Sequence, residues 1–368
     1  MGKKCLFMVI DALSARVVAP AAASGQLPSF AALIDRGSLA TDCCTIFPSI
    51  TPAATASLAT GKYPSEHGVA GAHWYDLQTG EIAYYGSDLW VILNEGMADF
   101  FQDFLVDLNF TRLRCETIFQ AVESQSLTSA CINYLWFRGE HKHQVRVPWP
   151  ISLIPGIPSS DSIRGPEILY LGDFVTTRQK SDQETLNGPG GIWKRFGFHD
   201  ECTAEVLLQL AEQRKLPHFT LAYFPENDYA SHAKGPEQAL PVLEFLDSVL
   251  AKLFASYGSV EEFLNEVAII ITGDHAQIDL LSEPAEVGIA LDDLLQEFAL
   301  VPAGKSWQAA DELLICPNMR AALIFLRNRA REQRCRKDEQ LHRDARVEPD
   351  PWRTHKAGKT PFHVAAAG

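Results

Sequence analysis

The 8 cysteines include no Cys-x-x-Cys pair and follow no regular spacing; only Cys43 and Cys44 are adjacent. That excludes a paired-cysteine metal site and a disulfide framework, and we expect reduced thiols in a cytoplasmic protein. The chain also lacks any run near the ~18 apolar residues that a membrane span needs. The apolar run after Lys3-Lys4 stops at Asp11, too short for a secretory signal. Positive charge is scarce. There are 32 Lys+Arg against 46 Asp+Glu, a formal net charge of −14. Such a surface repels nucleic-acid backbones and anionic membranes, so neither is expected as a partner. An anionic substrate is still allowed, because bound cations reverse the local sign. No internal repeat is present.

What is there has the composition of a soluble globular protein: 46% hydrophobic and 21% charged residues in 368. The length suits one large α/β domain with insertions, or two domains. Short apolar runs at Cys5–Ile10, Ser129–Tyr134, Phe219–Phe224 and Val267–Thr272 read as buried parallel strands. Between them, Pro28–Arg36, Ala204–Gln213 and Ala239–Phe254 carry apolar residues at near-helical spacing. The alternation predicts a parallel α/β sheet flanked by helices. Residues from about 83 to 197 are rich in aromatics and proline and contain Gly188-Pro189-Gly190-Gly191; they read as core plus a lid-like insertion. From 327 to 368 there are 11 Lys/Arg against 6 Asp/Glu, a balance of +5 that leaves −19 for the rest. We expect residues 1–326 to form the catalytic domain and 327–368 a basic, poorly ordered tail.

Three acidic positions fall where this architecture makes sites. Asp11 closes the first strand, Asp228 follows Phe219–Phe224 and Asp274 follows Val267–Thr272. Ligands in open α/β sheets bind beyond the carboxyl ends of the strands. His232 lies four residues after Asp228, and His275 is adjacent to Asp274. Carboxylate with imidazole suits Zn²⁺ and related divalent ions. Taken singly, Asp11 also reads as a helix cap, and Asp228/His232 as a polar loop. Thr51, in Phe47-Pro48-Ser49-Ile50-Thr51, is the candidate nucleophile. A hydroxyl is weak at neutral pH and needs a base or a metal. No Gly-x-Ser-x-Gly motif surrounds Thr51, which leaves metal activation, suited to phosphoryl transfer.

Val-Ile-Asp11, Phe-Pro-Ser-Ile-Thr51, Ala-Thr-Gly61-Lys-Tyr-Pro-Ser-Glu-His67-Gly68, Asp228-x-x-x-His232-x-x-Gly235-Pro236 and Thr-Gly-Asp274-His275 together resemble the type I phosphodiesterase/nucleotide pyrophosphatase family of the alkaline phosphatase superfamily. The resemblance implies an alkaline-phosphatase-like fold and two divalent ions, Zn first among them, with Mn or Fe as alternatives. One ion would be held by Asp11, Thr51, Asp274 and His275, the other by Asp228, His232 and a late histidine. Thr51 would attack phosphorus of a small phosphate ester and carry a covalent intermediate. Trp74 or Tyr75 would stack on the leaving group, with core packing as the alternative, and His67 reads as a structural hydrogen-bonding residue.

The pattern departs in three places. Ala54 stands where the family's nucleotide pyrophosphatases carry Asn. Pro225-Glu226-Asn227 precedes Asp228, which makes Glu226 a lesser alternative ligand. The late histidines, His355 and His363, lack the expected Gly-rich context, and we expect a truncated or frame-shifted C-terminus. A phosphonate or phosphomonoester hydrolase on the same scaffold, or an inactive relative that only binds, are the other readings. A sulfatase is not expected, because Cys43 and Cys44 lie outside a Cys-x-Pro-x-Arg motif.

Overall fold

The computed structural model describes residues 2–85, 103–153, 162–176, 186–279, 288–327 and 362–366. Its centre is a six-stranded sheet in the order Val267–Thr272, Lys4–Ile10, Phe219–Phe224, Ser129–Ile132, Ile168–Leu171, Val175–Thr176. The first five strands run parallel, and the short edge strand is antiparallel. All four strands expected from the apolar runs are present, two with the bounds read from sequence. The mixed α/β class with a mostly parallel sheet is confirmed.

Side chains alternate across a strand, so one run of sequence feeds two cores. Leu6, Met8 and Ile10 pack with Leu207, Leu246 and Leu250 of the helices Asp200–Glu212 and Leu240–Tyr257. Val9, on the opposite face, joins Ala56, Ala59, Phe119 and Trp136. The helix Pro28–Arg36 is tied to this scaffold by Asp247, whose buried Oδ1 accepts the Ser29 and Phe30 amides at 2.8 and 2.9 Å. Those amides belong to the first turn, which has no partner within the helix.

Thr51 opens the helix Thr51–Thr60, with Pro52 fitting its first turn. This helix is made of small residues, and Ala53, Ala54, Ala56 and Ala59 are fully or almost fully buried. Ala56 and Ala59 join Val9 and Phe119 in the second core. His67 is buried just beyond it: its Nδ1 accepts the Val69 amide at 3.1 Å, which fixes the proton on Nε2 facing Ser57 Oγ at 3.0 Å. Burial pushes its pKa down to about 4, so it is neutral near pH 7.

A second sheet pairs Leu313–Asn318 with Ala321–Leu326, and Phe362–Ala366 runs parallel to the latter, with His363 in register with Leu323. His355 lies outside the described residues. No single described helix is long and apolar enough to cross a membrane.

Candidate active site

The carboxyl ends of the three neighbouring strands Lys4–Ile10, Phe219–Phe224 and Val267–Thr272 gather the acidic residues. Asp11 continues the first strand, its amide donating to Phe224 O at 2.9 Å. Its side chain caps no helix. Oδ2 accepts the Tyr223 hydroxyl, while the buried Oδ1 has no hydrogen-bond partner. The chain then turns through Ala12 at φ +54°, and Asn227 Nδ2 donates to Asp11 O at 2.8 Å. A positive φ is unfavourable for alanine and marks a turn held by its surroundings. Asp274 Oδ1 accepts the amides of Ala12 at 3.2 Å and His275 at 2.9 Å, whereas its Oδ2 is buried without a partner.

His275 joins these carboxylates to the threonine. Its Nε2 lies 3.0 Å from Thr51 Oγ1, 3.5 Å from Asp11 Oδ1 and 3.8 Å from Asp274 Oδ2. Donor atoms of Asp11, Asp274 and His275 all lie within 4.8 Å of one another. The two orphaned oxygens face this space. Buried carboxylate oxygens without partners are costly, and a divalent cation is the group that would satisfy both. The residues therefore fit a metal ion. Burial lifts Asp11 well above the usual carboxylate range, and the charges of Asp274 and Asp228 lift it further, against His275 and the Tyr223 hydrogen bond. Burial pushes Asp274 up to about 6. Two carboxylates this close resist ionising together until a cation joins them.

Asp228 and His232 share the helix Glu226–Lys234, one turn apart, with His232 Nε2 3.5 Å from Asp228 Oδ2. Asp228, rather than Glu226, thus faces the imidazole. Gln277 Nε2 donates to Asp228 Oδ1. The His232 side chain is 50% exposed and Asp228's 13%, so this pair forms the open side of the site. Among the described residues, Asp11, Asp274 and His275 make the one cluster of three acidic or histidine donors.

Trp74 and Tyr75 lie on the strand His73–Asp76. Trp74 is 2% exposed and packs on Tyr85, with ring centroids 5.6 Å apart. Tyr75 meets Trp307 at 5.0 Å and Phe325 at 5.8 Å edge-on. Both rings are engaged in the second core.

Several contributors escaped the sequence reading. Thr55 Oγ1 donates to Thr51 O and accepts Trp136 Nε1 at 2.9 Å, and Tyr134 OH donates to Thr55 O at 2.7 Å. These bonds clamp the helix turn that carries Thr51. Tyr223 was hidden inside an apolar strand, where only its hydroxyl hinted at a polar partner. Thr45 Oγ1 donates to Asp274 O at 2.5 Å.

Comparison with solved structures shows the same fold. Phosphonoacetate hydrolase from Sinorhizobium meliloti 1021, in complex with phosphonoformate, is 18% identical, with 92% of this chain and 77% of that chain covered at a TM-score of 0.51. Human ectonucleotide pyrophosphatase/phosphodiesterase 5 is 14% identical, with 94% of this chain and 70% of its own covered at 0.53. An inactive threonine-to-alanine form of the murine protein, in complex with AMP, is 12% identical over 90% of this chain and 68% of its own, at 0.51. No curated protein sequence matches the chain. A family profile does, along nearly its whole length from residue 5 to 360, and on that match the chain belongs to the type I phosphodiesterase/nucleotide pyrophosphatase family.

Proposed function

We propose that the chain hydrolyses phosphodiester or pyrophosphate bonds in small molecules, with Thr51 as nucleophile and two divalent ions at the site. The observation that carries this reading is the placing of Thr51 Oγ1 3.0 Å from His275, itself beside two buried carboxylates with orphaned oxygens. Asp11, Asp274, His275 and Thr51 would hold one ion, and Asp228 with His232 the other. Bound there, divalent ions would favour the ionised Thr51 hydroxyl and offset negative charge on the transferring phosphoryl group.

The chain's own groups do the rest. The Thr55 clamp holds Thr51 at the start of its helix, where the dipole favours an anion. Thr51 Oγ1 attacks phosphorus, forming the Oγ1–P bond while the bond to the leaving oxygen breaks, and the hydroxyl proton passes through solvent to that leaving oxygen. Water then cleaves the phospho-threonine and restores the hydroxyl. Asp11 and Asp274, rigidly hydrogen-bonded, keep their free oxygens aimed at the space beside Thr51.

Phosphonate hydrolysis is the second reading. Ala54 is 3% exposed and offers no side-chain donor where nucleotide pyrophosphatases of the family place an amide. The structural likeness to phosphonoacetate hydrolase agrees with it.

The test is turnover of bis-p-nitrophenyl phosphate, p-nitrophenyl phosphate, a nucleotide 5′-p-nitrophenyl ester and phosphonoacetate, with Zn²⁺ or Mn²⁺ added. Turnover lost on chelation and in Thr51→Ala supports the nucleophile. Turnover that survives Thr51→Ala sinks it. A folded protein idle with every metal and substrate is an inactive relative.

A further inference from the structure

We propose that Gln277 and Asn227 are positioning residues that fasten the second metal half-site, Asp228 and His232, to the first, so that binding of the second ion depends on both carboxamides. This rests on the hydrolase reading above and assigns how that same site is held together.

Asp228 and His232 stand on a different element from the other ligands. Their helix, Glu226–Lys234, follows the strand Phe219–Phe224. Asp11 ends the middle strand of the three, and Asp274 follows the one on its far side. Asp228 Oδ2 and His232 Nε2 are 3.5 Å apart on the open side of the site, where the His232 side chain is half exposed. Nothing within the helix sets its place relative to the first ion's ligands.

Two carboxamides set it, reaching across in opposite directions. From the helix, the buried Asn227 donates through Nδ2 to the Asp11 carbonyl at 2.8 Å. Toward the helix, Gln277 Nε2 donates to Asp228 Oδ1. Gln277 lies two residues beyond His275, in a segment that is itself fixed. Asp274 Oδ1 accepts the Ala12 and His275 amides at 3.2 and 2.9 Å, and Asp274 O accepts the Thr45 hydroxyl at 2.5 Å. Buried Asp200 adds a tie at the start of the helix, its Oδ1 accepting the Glu226 amide at 3.1 Å. That amide is one of the first-turn donors that a helix leaves unpaired.

A carboxamide suits this task because it is neutral. It donates to a carboxylate or a carbonyl without bringing the positive charge of Lys or Arg, which would compete with a metal ion. With Oδ1 held by Gln277, Asp228 keeps Oδ2, on the His232 side, for the ion. Without Gln277 the Asp228 side chain regains rotamers that metal binding must freeze again. Partners that orient a metal ligand in this way are typically worth about 10–100-fold in metal affinity.

The test titrates Mn²⁺ calorimetrically into the full chain, with EPR of unbound Mn²⁺ counting the ions taken up. The proteins are wild type, Gln277→Met, Asn227→Leu and Asp228→Asn. Gln277→Met and Asn227→Leu nearly keep the side-chain volume and remove the donor. The wild type should bind two ions. Gln277→Met and Asn227→Leu should each weaken the second by about tenfold or more, with the first within about twofold of wild type. Asp228→Asn marks the full loss of the second ion. A folded Gln277→Met that binds the second ion as wild type does overturns the proposal. So does one that loses both ions equally, the mark of a general structural defect. The same two results in Asn227→Leu remove Asn227 from it. A wild type that takes up one ion, or none, overturns it as well, and only the second of these also removes the metal that the hydrolase reading needs.

Discussion

Replacing Asp274 by Asn should make the metal-free protein more stable while removing a metal ligand. Asp274 is buried, and its Oδ1 already accepts two backbone amides that an Asn oxygen would keep. The other oxygen has no partner and lies 3.8 Å from His275 Nε2. Burial moves its pKa from the ordinary 3.8 to about 6. At 1.36 kcal/mol per tenfold change in proton affinity, ionising this group in the folded state costs about 3 kcal/mol above pH 7. The sign follows from proton linkage. The folded chain binds the proton more tightly than the unfolded one, so stability falls as pH rises from 3.8 through about 6 and is level beyond. The advantage of Asp274→Asn is therefore full at pH 8, about half at pH 5 and nearly gone at pH 4. For 368 residues the unfolding entropy is roughly 0.8 kcal/mol/K, so 3 kcal/mol corresponds to about 4 °C in Tm. Calorimetric melts in EDTA across this pH range measure it. With excess Mn²⁺ or Zn²⁺ the order should reverse, since ligand at about 1,000 times Kd adds roughly 4 kcal/mol to the wild type alone. The reasoning fails if metal-free Asp274→Asn melts below wild type at pH 8, or if its advantage ignores pH.

Three further outcomes are expected. Thr55→Val keeps the shape but strands the buried Trp136 N–H and releases the Thr51 carbonyl, which should cost about 1–3 kcal/mol in denaturant melts and lower kcat more than it raises KM. His275→Ala should remove tight metal binding, read as metal per chain by elemental analysis, while circular dichroism stays native. His67, buried and depressed to about 4, should contribute about 3 kcal/mol of stability that is present above pH 6.5 and lost as pH falls toward 4; the acid limb of a stability-versus-pH curve should therefore shrink in His67→Gln.

The sequence by itself determined the strands and their order of use. Apolar runs such as Phe219–Phe224 and Val267–Thr272 are parallel strands because local hydrophobicity and length are enough to specify them, but burial was legible only for the first: Val267–Thr272 is an edge strand of the sheet, with Ile270 52% exposed. It also placed Asp11, Asp228 and Asp274 at strand ends, since a strand's carboxyl end is readable wherever its apolar run stops. Pairing was not readable. That Lys4–Ile10 lies between Val267–Thr272 and Phe219–Phe224 brings together residues some 260 positions apart, and no local pattern encodes that neighbourhood. Only the tertiary structure decided that His275 meets Thr51, that Tyr223 serves Asp11 from within an apolar strand, and that Trp74 and Tyr75 pack in the core. The clamp through Thr55, Tyr134 and Trp136 belongs to the same class. Hydrogen bonds and ring contacts depend on distances of a few ångströms between remote segments, and those distances exist only once both faces of the sheet have been packed.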